Sequence, residues 1–173
     1  MAISNASITT LNNTSIPKDA CVVIVSTEWN ADIVDSLLEN CTATLSDHGV
    51  KFILVKVPGA AEIPFAIKAY WARNKFKDSR PHAFIALGCV IQGDTPHFDF
   101  ICKMVTEGIL QLNLTLCVPT IFGVLTVNTT GQAHDRLNGT HSNKGQEFAI
   151  GAIKMLSLNS QFLQVVMFLL YKP

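Results

Sequence analysis

Four apolar runs of strand length, each followed by a stretch of helical period, limit what this chain can fold into more than any other feature. The first is Cys21-Val22-Val23-Ile24-Val25-Ser26. Ala31 to Leu45 follows it, with Ile33, Val34, Leu37, Leu38, Cys41 and Leu45 on one helical face. The second run, Phe52 to Val57, is closed by Pro58-Gly59 and precedes a helix predicted over Ala61 to Asn74. Pro64 is tolerated there because it falls in the first turn. The third, Ala83 to Leu87, reads as halted by Gly88. A third helix is expected from about Pro96 to Leu114, with Ile101, Val105, Ile109 and Leu112 facing inward. Thr120 to Leu125 is the fourth strand, followed by helical stretches around Thr130 to Leu137 and Lys144 to Leu158.

Strands apolar on both faces and separated by helices imply a parallel sheet covered on both sides. Right-handed crossovers then give an α/β, three-layer αβα sandwich of flavodoxin-like type with a four-stranded parallel sheet. At 173 residues the chain is one domain, expected over residues 21–159, with no repeat and no linker. Residues 1–20 are rich in Ser, Thr and Asn and read as a loose arm, neither signal nor transit peptide. Residues 160–173 form an apolar tail. Its run from Phe162 to Tyr171 is too short to span a bilayer, so the expectation is a packed segment or one buried between subunits, with no membrane partner.

Charge and cysteine usage exclude several classes. Thirteen basic and thirteen acidic side chains cancel, and no basic run is present, so no nucleic-acid partner is expected. Charged residues are only 15% of the chain against 49% apolar, which suggests surface covered by neighbouring subunits. The five cysteines, Cys21, Cys41, Cys89, Cys102 and Cys117, are odd in number and form no CxxC. They read as reduced thiols of a cytoplasmic protein, with neither disulfide framework nor metal site.

In an open α/β sheet, ligands bind beyond the carboxyl ends of the strands. Here those ends lead into Glu28-Trp29-Asn30, Pro58-Gly59-Ala60-Ala61-Glu62, Gly88 through His97, and Thr126-Val127-Asn128. An aromatic, a glycine turn, a helix-start loop and a histidine thus converge on one rim.

The strings TEWN, VPGAAEIP, ALGCVIQGDTPHFD and PTIFGVLT, with Arg136 and Asn143-Lys144-Gly145, resemble in order the signatures of 6,7-dimethyl-8-ribityllumazine synthases. The resemblance spans roughly Cys21 to Asn159. It implies condensation of 5-amino-6-(D-ribitylamino)uracil with 3,4-dihydroxy-2-butanone 4-phosphate, without metal or redox cofactor. It also implies pentamers, in some members assembled into icosahedral shells, with active sites between subunits.

Each site residue has a plainer reading beside the one the resemblance implies. Trp29 stands just past a strand and suits stacking on a pyrimidinedione rather than core packing. Asn30 reads as a helix N-cap. Ala60, Ala61 and Glu62 form a strand-to-helix turn; the resemblance places them on the substrate, with Ala61 leaving a smaller wall than the frequent Phe. Cys89, Val90 and Ile91 match a backbone stretch holding the uracil edge, Cys89 as a small neutral residue. Phe122 matches a pyrimidine contact but could equally be core.

Asp94 and Thr95 precede a helix whose open N–H groups suit phosphate. The resemblance assigns phosphate to them, to Arg136, a surface charge on sequence alone, and to Lys144. Asp94 would repel phosphate unless it faces solvent. Pro96 removes an N–H while suiting the first helical position. His97 is the catalytic candidate, able to move protons near neutral pH, and Asp99 could tune it or simply be a solvated acid. His48, His82, His134 and His141 read as surface or loop residues. Two rivals remain: a flavodoxin-like binder, which the glycine-free Ser26-Thr27-Glu28-Trp29-Asn30 turn disfavours, and a scaffold protein retaining only the fold.

Overall fold

The structure, a computed structural model, describes Leu11 and residues 14–137 and 143–170, with side chains described as far as Leu163. The first ten residues of the arm, the Asn138–His141 stretch and Tyr171 lie outside the described residues.

The alternating pattern produces β1 (Cys21–Thr27), α1 (Ala31–Asp47), β2 (Lys51–Val57), a 3-10 turn (Ala60–Glu62), α2 (Ile63–Asn74) and β3 (Ala83–Ile91). Then come α3 (His97–Thr115), β4 (Thr120–Val127), α4 (Thr130–His134) and α5 (Lys144–Leu170). All strands are parallel in the order β2-β1-β3-β4. Side chains alternate along each strand, so two cores form. Val22, Ile24, Ile85 and Leu87 meet α1 and α5 residues such as Cys41, Leu45 and Ile153. Val23, Val25, Phe84 and Ala86 meet Ile63, Ile67, Val105 and Ile109 of α2 and α3. Helices on both faces make this the three-layer sandwich.

Several expectations need correcting. Gly88 does not end β3, which continues to Ile91. A Cβ at Gly88 would sit 3.2 Å from Thr27 Cγ2, so the glycine admits close approach of β1 rather than stopping the strand. β4 likewise runs on to Val127, its pairing with β3 holding through Ile91↔Val127. Coverage of the sheet is incomplete at its edge: Phe52 and Leu54 of β2 are exposed in the single chain. Pro96 occupies the position just before α3 rather than its first residue. The arm is anchored where described, since Leu11 and Ile16 pack against the α1–α5 core. The helix expected to Leu158 continues as α5 across residue 159 to Leu170. Among the described residues, no helix is long and apolar enough to cross a membrane.

His82 proves to be more than a loop residue. The Cys21 N–H donates to its Nδ1 at 3.2 Å, and the His82 backbone N–H donates to the Cys21 carbonyl at 2.8 Å. Accepting at Nδ1 requires the neutral ring. Burial, then the Arg80 charge, hold its pKa below the ordinary 6.5 despite the nearby Asp19 carboxylate. The unfolded chain therefore binds the proton more readily. The His82 contribution to stability should be complete above about pH 6.5 and lost as pH falls through the lowered folded value. Thermal midpoints measured across that window should fall in the wild type and flatten in His82→Gln. Equal slopes would show that His82 is not the group titrating.

Candidate functional site

A series of hydrogen bonds binds the loops of the carboxyl rim together. Glu28 N–H and Trp29 N–H donate to the carbonyls of Val57 and Pro58 at 2.9 and 3.2 Å, tying the turn after β1 to the end of β2. Thr27 Oγ1 donates to the Trp29 carbonyl at 3.2 Å. Asn30 Nδ2 donates to the Cys89 carbonyl at 2.8 Å, and Gln92 N–H to the Val127 carbonyl at 2.9 Å. The Asn128 N–H donates to Gln132 Oε1 at 2.9 Å, while Arg136 Nη1 donates to the Gln132 carbonyl at 2.6 Å. Finally Lys144 N–H reaches the Arg136 carbonyl at 3.0 Å. The ties run from the β2 turn to the start of α5.

On this frame Trp29 stands 73% exposed, which rules out the core reading and leaves its ring face open. Ala60 is buried, Ala61 half-buried and Glu62 exposed. Glu62 folds back over Gly59, where a Cβ would lie 3.1 Å from its Oε2. Cys89 is buried while Val90 and Ile91 are half-buried, all three now strand rather than loop. Burial and the Asp32 charge push the Cys89 thiol up to about 11, so it stays neutral and is no nucleophile at neutral pH.

Asp94, Thr95 and His97 are exposed at the start of α3, which no side chain caps. The Asp99 N–H turns back to the Pro96 carbonyl at 3.1 Å, so the His97 and Phe98 N–H groups are the ones that an uncapped helix start can offer an anion. Asp99 is an exposed acid in the same turn. Arg136 is half-buried in the turn after α4, which packs on the opposite face through Ala133 and Leu137 against Ile33 and Val34. His97 and Arg136 therefore flank the β3 and β4 ends from two sides.

Two expected residues stand apart. Lys144 Nζ is paired with Glu147 Oε2 at 2.6 Å, so its charge is largely answered locally. Phe122, third residue of β4, pairs with Ala86, five residues before the strand's carboxyl end. At about 3.3 Å per residue it lies roughly 16 Å from its own rim. It is also 37% exposed on an edge strand, hence not core.

A family model described as 6,7-dimethyl-8-ribityllumazine synthase matches residues 19–160. The chain belongs to that family. A lumazine synthase of Parabacteroides distasonis is 43% identical over 162 residues, 92% of this chain and 98% of the relative. One from Bacteroides fragilis is 49% identical over 136 residues, covering 77% and 92%. One from Porphyromonas gingivalis is 47% identical over 149 residues, covering 83% and 89%. The family strings read from the sequence all fall inside the matched span.

What sequence reasoning missed in this lumazine synthase rim is its internal bracing. Asn30 reads as a cap, and Gln132 carries no signal at all. Asn30 adopts the left-handed conformation (φ 57°, ψ 46°), and its side chain does not cap α1. An amide between an aromatic and a helix looks the same in sequence whether it caps or crosses.

Proposed function

We propose that this chain condenses 5-amino-6-(D-ribitylamino)uracil with 3,4-dihydroxy-2-butanone 4-phosphate to 6,7-dimethyl-8-ribityllumazine, as a cytoplasmic transferase of riboflavin biosynthesis. The observation that carries the reading is the rim itself: an open aromatic face and a strand end offering backbone on one hydrogen-bonded frame, with an exposed histidine at the helix start that follows β3. Trp29 stacks on the pyrimidinedione, and the main chain of Cys89, Val90 and Ile91 reads its edge. Ala60, Ala61 and Glu62 receive the ribityl chain. Asp94, Thr95 and Arg136 lie around the phosphate, the exposed Asp94 turning its carboxylate to water, with Lys144 more remote.

The amine attacks the ketone and water leaves to give an imine. Phosphate is eliminated, and ring closure releases a second water. Each step moves a proton, and none needs a cofactor. His97 is the group placed to carry those protons. Purified protein mixed with both substrates should produce lumazine absorbance faster than the uncatalysed mixture; no excess would sink the enzyme reading. His97→Ala should lower kcat about 100-fold, the low end of general acid–base contributions, because water reaches so exposed a site. A kcat within a factor of two of wild type would remove His97 from proton transfer.

The same geometry supports an assembly. Phe122 sits too far from its own rim to touch the same substrate, so its pyrimidine contact is made in a neighbour's site. The exposed Phe100, Met104, Leu110 and Leu114 along α3 offer further apolar surface to cover. We assign a homopentamer with sites between subunits; light scattering on the assay sample distinguishes it from monomer and from shell.

A further inference from the structure

We infer that Asn30 is a positioning residue that sets the width of the pyrimidine slot between Trp29 and the end of β3. The inference rests on the proposed reading of that rim.

The β1–β3 ladder ends at Ser26↔Leu87, yet β3 continues four residues further to Ile91. Beyond that point β1 has turned away, and the β1-facing edge of β3 loses its strand partner. The Cys89 carbonyl lies on this stretch, and Asn30 Nδ2 donates to it at 2.8 Å. The side chain thus stands in for the missing strand across a separation of 59 residues. Because the acceptor is a carbonyl, the donating atom must be the amide nitrogen.

The backbone is arranged for that crossing. Asn30 is the one non-glycine residue with positive φ among the described residues. A capping residue normally sits in the β region so that its side chain reaches back to the helix N–H groups. Here the left-handed conformation, which Asn tolerates better than most residues, turns the side chain away from them. The carbonyl of Asn30 still accepts from Ile33 and Val34 at 3.1 and 3.0 Å, so α1 starts without a side-chain cap. Trp29, the adjacent residue, is held on its other side by Pro58 and Thr27. The Asn30 bond is what fixes the ring's loop against the strand whose backbone the uracil edge meets.

Two substitutions separate backbone from side chain. Asn30→Gly keeps the left-handed conformation and deletes the tie. Asn30→Asp keeps shape and conformation but sets an acceptor against the Cys89 carbonyl. In both, KM for the ribitylamino-uracil should rise about tenfold. KM for the butanone phosphate should stay within twofold and the thermal midpoint within a few degrees. A second readout is Trp29 emission in a Trp71→Phe background, the chain having two tryptophans. Quenching by the ribitylamino-uracil should need about tenfold more ligand in each variant. Unchanged KM and quenching would overturn the inference. So would a rise in both KM values together with a large loss of thermal midpoint, which marks general destabilisation. If the wild-type chain neither turns over nor quenches, the functional reading fails and the inference with it. If it does both and the Asn30 variants match it, only the inference fails.

Discussion

Arg136→Ala should lower kcat/KM by about 100-fold or more, with the loss expressed mainly as a higher KM for the butanone phosphate. Removing one partner of a desolvated charge pair costs roughly 2–5 kcal/mol, and each 1.36 kcal/mol is tenfold. Two observations raise the share of the phosphate charge that falls on Arg136. Pro96 has no N–H to donate, and Lys144 is committed to Glu147. The guanidinium therefore carries more of the phosphate charge than it would beside a hydroxyl and an unpaired lysine. It is also pre-positioned, since Nη1 is held by the Gln132 carbonyl while most of its five donors remain for the ligand. Arg136→Lys should recover only part of the loss, because a point charge cannot reproduce the planar fork. Steady-state kinetics with each substrate varied in turn checks this. An unchanged KM for the phosphate substrate would show that the phosphate is held elsewhere.

The fold was legible because burial on both sides of a parallel sheet leaves a signature no other architecture needs: strands apolar throughout, with helical periods between them. What misled was glycine. Gly88 reads as a strand end, yet its role is steric; Gly123, read within the fourth strand, is also a close approach, where a Cβ would lie 2.7 Å from the Ala86 carbonyl. One-dimensional punctuation cannot distinguish a turn from a close approach, because the approaching atom belongs to a distant segment. The end of α5 was misjudged for a related reason. Asn159, Ser160 and Gln161 are polar, but none has the backbone constraint of Gly or Pro that ends a helix.

The rim was legible as a set of loops, since strand order alone brings their starts together. The residues proposed for its chemistry came only from family strings, and its bracing was not legible at all. A residue such as Asn30 acts through a partner 59 positions away, and nothing in its local sequence names that partner. Phe122 shows the opposite limit. Its string was readable, but only the strand register places it far from the rim of its own chain.

Gly145→Ala should destabilise the chain by about 2 kcal/mol, although alanine is the better helix former. The residue lies in the first turn of α5, where that helix crosses α1. A Cβ there would overlap the Leu37 carbonyl oxygen and approach Asn40 Cβ to 2.8 Å and Cys41 N to 3.2 Å. Two of these atoms are main chain, so no side-chain rotation relieves the contact and the helices must separate. Overpacking of this kind costs about 1–3 kcal/mol, occasionally more, against about 0.5–1 kcal/mol gained from helix propensity. Separation would also strain the Asn143 amide bond to Asn40 Oδ1 at 2.9 Å, while Asn143 Oδ1 caps α5 at Gln146. For a chain of this size the thermal midpoint should fall by roughly 4–8 °C. Activity should fall too, because Lys144 N–H holds the Arg136 carbonyl and carries any displacement into the phosphate turn. Gly151→Ala, two turns further along α5, is the internal control: its Cβ would meet Ile121 only at 3.9 Å, an ordinary contact. Helix propensity should then decide the sign, and the midpoint should rise slightly. Loss at residue 145 with gain at residue 151 identifies the α1 crossing as the cause; equal effects at both would trace the change to helix propensity alone.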